Sequence, residues 1–194
     1  MRIIAGSARG TKLETLPGEN TRPTSERAKE AVFSMLQFEL AGRRVLDLFA
    51  GSGQLALEAL SRGAADAVLC DASAAAAAIV RKNIEKTHMA DRCRLMQADY
   101  AACVRMLGGE QFDLIFLDPP YAQRLVCPAL RTLLSAGAVA DGALIVCESE
   151  EADIFETDPS LAALFSVRKV AKYGAAHVTV LEYQAKNDGE EREE

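Results

Sequence analysis

Residues 112–121, FDLIFLDPPY, constrain the fold of this chain more than any other stretch. Phe112, Leu114, Ile115, Phe116 and Leu117 alternate and then run on continuously, the pattern of a strand buried on both faces. Pro119 and Pro120 stop it at once, because neither has an N–H to give to a ladder. The strand therefore delivers Asp118, two stiff residues and Tyr121 to its carboxyl end, where open α/β sheets bind their ligands.

The chain around this strand repeats the same grammar. Strands are expected at 45–48, 67–70, 94–98 and 143–147, with helices at 54–62, 73–86, 100–107 and 124–135 between them. Ser73 is placed to cap the alanine-rich helix, and alanine is the strongest helix former. Residues 164–172 and 177–184 read as an antiparallel hairpin at the sheet edge, turning at Gly174. This alternation predicts a doubly wound, mostly parallel seven-stranded α/β sheet of Rossmann-like type. Ahead of it, residues 2–5 and 11–16 read as a small hairpin. Thr24 or Ser25 is placed to cap a helix over about 25–40 that Gly42 ends. Three segments are expected: an N-terminal extension at 1–42, a core domain at 43–186 and an acidic, disordered tail at 187–194.

A chain of 194 residues is about one domain, with enough length to bury a core. No apolar run approaches the ~20 residues of a membrane span, and the start MRIIAGSARG has no long apolar signal core. The five cysteines show no CxxC spacing and read as buried free thiols, which fits a reducing cytoplasm. Net charge is −6, yet it is unevenly spread: residues 1–44 carry a net +3 and the remainder −9. Arg2, Arg9, Lys12 and Arg22 mark a basic arm on an acidic body, suited to phosphate contact.

Chemistry concentrates at the strand ends. After 45–48 comes DLFAGSG, whose glycines allow a tight strand-to-helix turn, with a helix N-terminus that favours an anionic group beyond them. Gly51-x-Gly53-x-x-Ala56 also fits a dinucleotide fingerprint with Asp71 about 20 residues on, so the glycines alone leave NAD open beside other nucleoside cofactors. Asp47 shifts the balance. A carboxylate there sits badly beside a pyrophosphate and well beside the ammonium of a methionine-like group, as in S-adenosylmethionine. Asp71 is placed to accept ribose hydroxyls, and Asp99 to accept from an adenine amine. Each of these acids could also serve as a turn or helix cap, though three at successive strand ends tell more together than singly.

At the fourth strand end the residues suit methylation of an exocyclic base amine. Such a nitrogen is a poor nucleophile because its lone pair is delocalised into the ring. Asp118 and a backbone carbonyl held by Pro119 and Pro120 can accept its two N–H bonds, and the carboxylate stabilises the developing positive charge. Tyr121 offers a face for a base taken out of its stack. His88 and His177 belong to no catalytic pattern, and no metal-ligand spacing is present.

The combination resembles S-adenosylmethionine-dependent amino-methyltransferases. More narrowly, it resembles the RsmD family, bacterial enzymes that methylate guanine N2 in 16S ribosomal RNA. The N-terminal signature RIIAG followed by Arg9-Gly10 and Arg22-Pro23-Thr24 narrows the class, because DPPY is shared with adenine and cytosine amino-methyltransferases. Residues 45–53 with 57–64 resemble the cofactor segment. Cys70-Asp71 departs from the family's usual glutamate, shortening the carboxylate's reach, and Asn83 keeps its family position. The resemblance implies that Asp47, Phe49, Gly51, Gly53, Asp71 and Asp99 hold S-adenosyl-L-methionine, while Asp118, Pro119, Pro120 and Tyr121 bind the amine and stack the base. It also implies a monomer acting on 16S rRNA within an assembled or partly assembled small subunit. An amino-methyltransferase for adenine N6 or cytosine N4, an NAD-dependent oxidoreductase and a non-catalytic RNA-binding module remain alternatives at this stage.

Overall fold

The apolar runs form the strands expected of them. The computed structural model describes residues 1–16, 23–120 and 123–185. Its strands are β1 (Arg44–Asp47), β2 (Asp66–Asp71), β3 (Cys93–Gln97), β4 (Phe112–Leu117), β5 (Val139–Ser149), β6 (Phe165–Tyr173) and β7 (Ala176–Tyr183). They make one sheet in the order β3-β2-β1-β4-β5-β7-β6. The first five are parallel, and β7 and β6 add an antiparallel hairpin at one edge. This is the doubly wound architecture that the strand–helix alternation implies.

Both faces of the sheet are covered by helices. α1 (Pro23–Met35), α2 (Gln54–Ser61) and α3 (Ala74–Thr87) pack on one face, and α4 (Tyr100–Met106) and α5 (Val126–Ser135) on the other. The continuous apolar run of β4 feeds both layers: Leu114 and Phe116 join the first core, Ile115 and Leu117 the second. Ser73 caps α3 as expected, accepting from the Ala76 amide at 3.3 Å. Four cysteines are buried and Cys93 is half-buried; all five are free. Among the described residues no helix is long and apolar enough to cross a membrane.

The N-terminal region departs from the sequence reading in two ways. α1 starts at Pro23, so neither Thr24 nor Ser25 is its cap; proline is favoured at the first helical position, where its missing N–H costs nothing. The helix ends at Met35, and a turn closed by Glu39 N–H to the Leu36 carbonyl follows. The expected hairpin is present but short: the bridge Arg2–Lys12 is flanked by Leu13 N–H to the Met1 carbonyl and Ile3 N–H to the Thr11 carbonyl, both at 3.0 Å, and Gly10 N–H closes on the Ile3 carbonyl at 2.9 Å. Its ladder stops because the next amides are taken elsewhere: Ile4 N–H and Ala5 N–H donate to the Glu58 carboxylate at 2.7 and 3.0 Å.

Glu58 on α2 is the anchor of this region. Its side chain is fully buried, and it also receives Arg62 Nε at 2.7 Å and faces Lys29 Nζ at 3.6 Å. Ser61 one turn on donates to the Ala5 carbonyl at 2.6 Å and accepts from the Ala8 amide at 3.0 Å. Gly6 is pressed so close that a β-carbon would stand 1.7 Å from the Ser61 carbonyl oxygen, which only glycine tolerates. Ile3 and Leu13 then join Val32, Phe33, Leu36 and Leu40 in the core shared with α2 and α3.

Replacing Glu58 by alanine strips a buried lysine of that carboxylate and leaves two backbone amides unpaired. The expected loss is about 3–5 kcal/mol in urea unfolding, with faster hydrogen exchange at the Ile4 and Ala5 amides. An unchanged unfolding midpoint would contradict the anchoring role.

Candidate active site

The strand order reverses between β1 and β4, so the connections leaving these neighbours go to opposite faces of the sheet and open a crevice at their carboxyl ends. A cavity of about 880 Å³ lies there. The turn after β1 supplies Phe49, Ala50, Gly51 and Ser52; the ends of β2 and β3 supply Asp71 and Asp99; the end of β4 supplies Asp118, Pro119 and Pro120. Three of the four strand-end acids expected from the sequence thus share one cavity wall.

Each acid is held differently. Asp71 accepts Gly51 N–H and Ser73 N–H, one on each carboxylate oxygen at 2.8 Å, which fixes both the glycine turn and the carboxylate. Each oxygen keeps a further lone pair for a ligand. Asp99 caps α4, its Oδ1 accepting from the Ala102 amide at 2.8 Å. The cap and the ligand roles are compatible, because one oxygen serves each. Gly53 caps α2 with φ 76°, and a β-carbon there would meet Leu69 Cδ2 at 3.0 Å. No side chain caps α2, and its first residues Gln54 and Leu55 line the cavity. The positive end of that helix is thus turned toward the space a ligand would fill.

Asp47 and Gly53 do not line the cavity. Asp47 shares the β1 face with Val45 and points beneath the 49–53 turn, 1% exposed. Neither of its oxygens has a hydrogen-bond partner. Burial pushes its pKa up to about 7; the backbone amides of Ala56 and Phe49 pull it down from a distance, and the Asp71 charge adds to the rise. Such an orphaned buried carboxylate beneath a glycine turn fits a ligand that brings a positive charge to the turn.

Other wall residues carried no motif. Tyr100 pairs with Phe49, ring centroids 5.7 Å apart, and both face the cavity. Met1 and Leu16 bring the two ends of the N-terminal segment to the wall, and Gln123 and Leu125 continue it past the prolines. Asn83 ties these parts together. Its amide donates to the Glu14 and Ser52 carbonyls, both at 2.9 Å, and its oxygen accepts from the Glu14 amide at 2.8 Å. A sequence signal for Gln54 and Gln123 existed in their position directly after the motifs; for Met1 and Leu16 there was none. A side pocket of about 70 Å³ adjoins the cavity and shares Gln54, Leu55 and Asp118 with it.

Arg2, Arg9 and Lys12 are exposed on the N-terminal segment. Arg22 and Tyr121, also expected at the site, lie outside the described residues. His88 ends α3 in a left-handed conformation with φ 56°, and His177 Nδ1 lies 2.9 Å from the Glu150 carbonyl; neither lines the cavity.

Asp47 predicts a pH dependence of stability. Its pKa is raised by folding, so the folded state binds the extra proton between about pH 4 and 7. Stability therefore falls as pH rises across that window, by up to about 4 kcal/mol, and is level above it. Asp47→Asn should remove this slope in denaturation series from pH 4 to 8; an unaltered slope would contradict the assignment.

Comparisons with known proteins agree with the geometry. The family described as "Conserved hypothetical protein 95" matches residues 1–182. Ribosomal RNA small subunit methyltransferase D of Escherichia coli (strain K12) is 34% identical over 190 residues, covering 98% of this chain and 94% of its own length. YlbH of Bacillus subtilis (strain 168) is 36% identical over 164 residues, covering 81% of this chain and 87% of its own. The solved structure of yhhF from Escherichia coli superposes with a TM-score of 0.82 at 32% identity, covering 96% of this chain and 99% of that one. With a family match over residues 1–182 and relatives aligned over nearly the whole chain, this chain belongs to the Conserved hypothetical protein 95 family, the RsmD family.

Proposed function

We propose that the protein transfers a methyl group from S-adenosyl-L-methionine to the exocyclic N2 of a guanine in 16S rRNA, acting on an assembled or partly assembled small ribosomal subunit in the cytoplasm. The observation that carries this reading is the shared cavity. Asp118, Pro119 and Pro120 stand on one wall of the space bounded by the 49–53 turn, Asp71 and Asp99. The name of the Escherichia coli relative, a ribosomal RNA small subunit methyltransferase, supports the substrate class.

When bound, the cofactor supplies an electrophilic methyl on a positively charged sulfur. The turn at 49–53 and the uncapped N-terminus of α2 suit the methionine end, whose ammonium Asp47 stabilises from beneath the turn. Asp71 takes the ribose hydroxyls with its remaining lone pairs. Asp99 faces the purine beside the Phe49–Tyr100 pair. Asp118 and the Pro119 carbonyl accept the N–H bonds of the target amine, which draws the nitrogen lone pair out of the ring. The carboxylate also stabilises the positive charge that builds on nitrogen. The methylated amine is then a strong acid, so its proton leaves without a dedicated base. In this reading Tyr121 stacks the flipped base. Residues 1–42 form the RNA-contacting extension, with phosphate contacts from Arg2, Arg9, Lys12 and Arg22.

Ribosomal RNA from a deletion strain should lack one N2-methylguanosine by nuclease digestion and mass spectrometry. Complementation with Asp118→Ala should fail to restore it, while calorimetry shows cofactor binding largely retained. An unchanged N2-methylguanosine content in the deletion strain would overturn the reading, and loss of N6-methyladenosine or N4-methylcytidine instead would redirect it to those amines.

The basic segment makes a second prediction. With four phosphate contacts the log–log salt dependence of binding should have a slope of about −3 to −4, and Lys12→Ala should reduce it by about 1. A steeper slope that ignores Lys12 would place the phosphate contacts elsewhere.

A further inference from the structure

Asp47 is an acid that the fold leaves unmatched. It is buried at the end of β1, and neither of its oxygens has a hydrogen-bond partner. A carboxylate taken out of water in this way is more stable as the neutral acid than as the anion. The groups around it do not reverse that preference. Asp71 at the end of β2 adds its repulsion to the cost of burial, and the Ala56 and Phe49 amides pull the other way without offsetting it. The neighbouring Cys70 thiol is pushed up by its hydrogen bond with Cys103 and by burial, so it stays neutral. On β4, Phe116 pairs with Asp47, and Asp118 follows two residues on. From the helices on this face, α2 brings Glu58 and α1 brings Lys29, and these two face each other at 3.6 Å. The cavity over the turn shows the same imbalance. Its wall carries Asp71, Asp99 and Asp118 but, among the described residues, no lysine, arginine or histidine.

We infer that Asp47 is neutral in a large share of the free protein and ionises when the cofactor's ammonium reaches the 49–53 turn, so that cofactor binding expels a proton. This rests on the S-adenosylmethionine reading and deepens it. The carboxyl O–H bond breaks, its electron pair stays on oxygen, and the proton passes to water. The cation then lies near a carboxylate that formed on its arrival, in a place closed to water, where opposite charges attract more strongly than in bulk solvent. A nearby cation favours the ionised acid, so the bound state holds fewer protons than the free one. Affinity therefore rises with pH until the free protein has lost the same proton. With the free group near 7, affinity should level off above about pH 7.5 and fall by nearly 10-fold per unit below about pH 6. The same device sorts ligands. A nucleoside that lacks the ammonium gains nothing from Asp47 and leaves its proton in place.

The test is calorimetry of the full chain in two buffers of different ionisation enthalpy, which counts the protons exchanged on binding without any turnover. At pH 7 the demethylated cofactor, S-adenosylhomocysteine, should release about 0.5 proton, rising to about 0.9 at pH 6. 5′-Methylthioadenosine keeps the nucleoside and the sulfur but lacks the amino acid, and it should release none. Wild-type affinity for S-adenosylhomocysteine should be about 25-fold weaker at pH 5.5 than at pH 7.5. Asp47→Asn should release no proton, bind S-adenosylhomocysteine with an affinity level across that range, and bind 5′-methylthioadenosine as the wild type does. The wild-type proton count needs no variant, so it stands even where Asp47→Asn folds poorly. No proton released by the wild type, equal release with both ligands, or release retained in Asp47→Asn would overturn the inference and leave cofactor binding itself intact. A wild type that binds neither S-adenosylhomocysteine nor S-adenosylmethionine would defeat the parent reading.

Discussion

The reversal of strand order between β1 and β4 is the constraint on which the rest of the molecule depends. Parallel neighbours whose connections leave toward opposite faces cannot cover their shared carboxyl edge, so a crevice opens there whatever the side chains. The chain uses both sides of it. On the β1 side a glycine turn and a bare helix N-terminus form a cradle; on the β4 side two prolines end the ladder and hold an acid at the rim. Asp71 links the two, because the same carboxylate that lines the cavity also fixes the Gly51 amide. The cradle is therefore set before any ligand arrives.

The N-terminal segment is built into this site. Glu58 and Ser61 hold residues 4–8 on α2, whose other end carries the glycine turn, and Asn83 joins Glu14 to Ser52 within that turn. Met1 and Leu16 reach the cavity wall as a result. The N-terminal segment and the glycine turn are thus connected through hydrogen bonds rather than through a flexible linker. Glu58 is a costly device, a buried charge that is stabilising only while its amides, Arg62 and Lys29 stay in place.

Much of this was legible in the residues. Apolar runs followed by an acid placed β2 and β4 to within a residue or two, because a doubly buried strand leaves little freedom in composition. The three acids lining the cavity were found by that position alone. What the sequence concealed came from tertiary context. Glu58 reads as an ordinary surface glutamate of an amphipathic helix, and only the docking of residues 4 and 5 buries it. The hairpin at 2–5 and 11–16 is cut short for the same reason, keeping its pairing only through residues 1–3. Asp47 was expected on the ligand side, yet strand alternation with Val45 puts it under the turn, a parity visible in the sequence once β1 is fixed. Tyr100 at the start of α4 pairs with Phe49 in the turn after β1, a contact distant in sequence that no local pattern reports.

The most direct test of the central claim is the identity of the methylated nucleoside. Small subunits from a deletion strain, incubated with the purified protein and S-adenosylmethionine labelled in its methyl group, should yield a single labelled nucleoside by digestion and mass spectrometry. The account predicts N2-methylguanosine, with Asp118→Ala giving no label although it still binds the cofactor. Label in any other nucleoside, or undiminished transfer by the Asp118 variant, would contradict it.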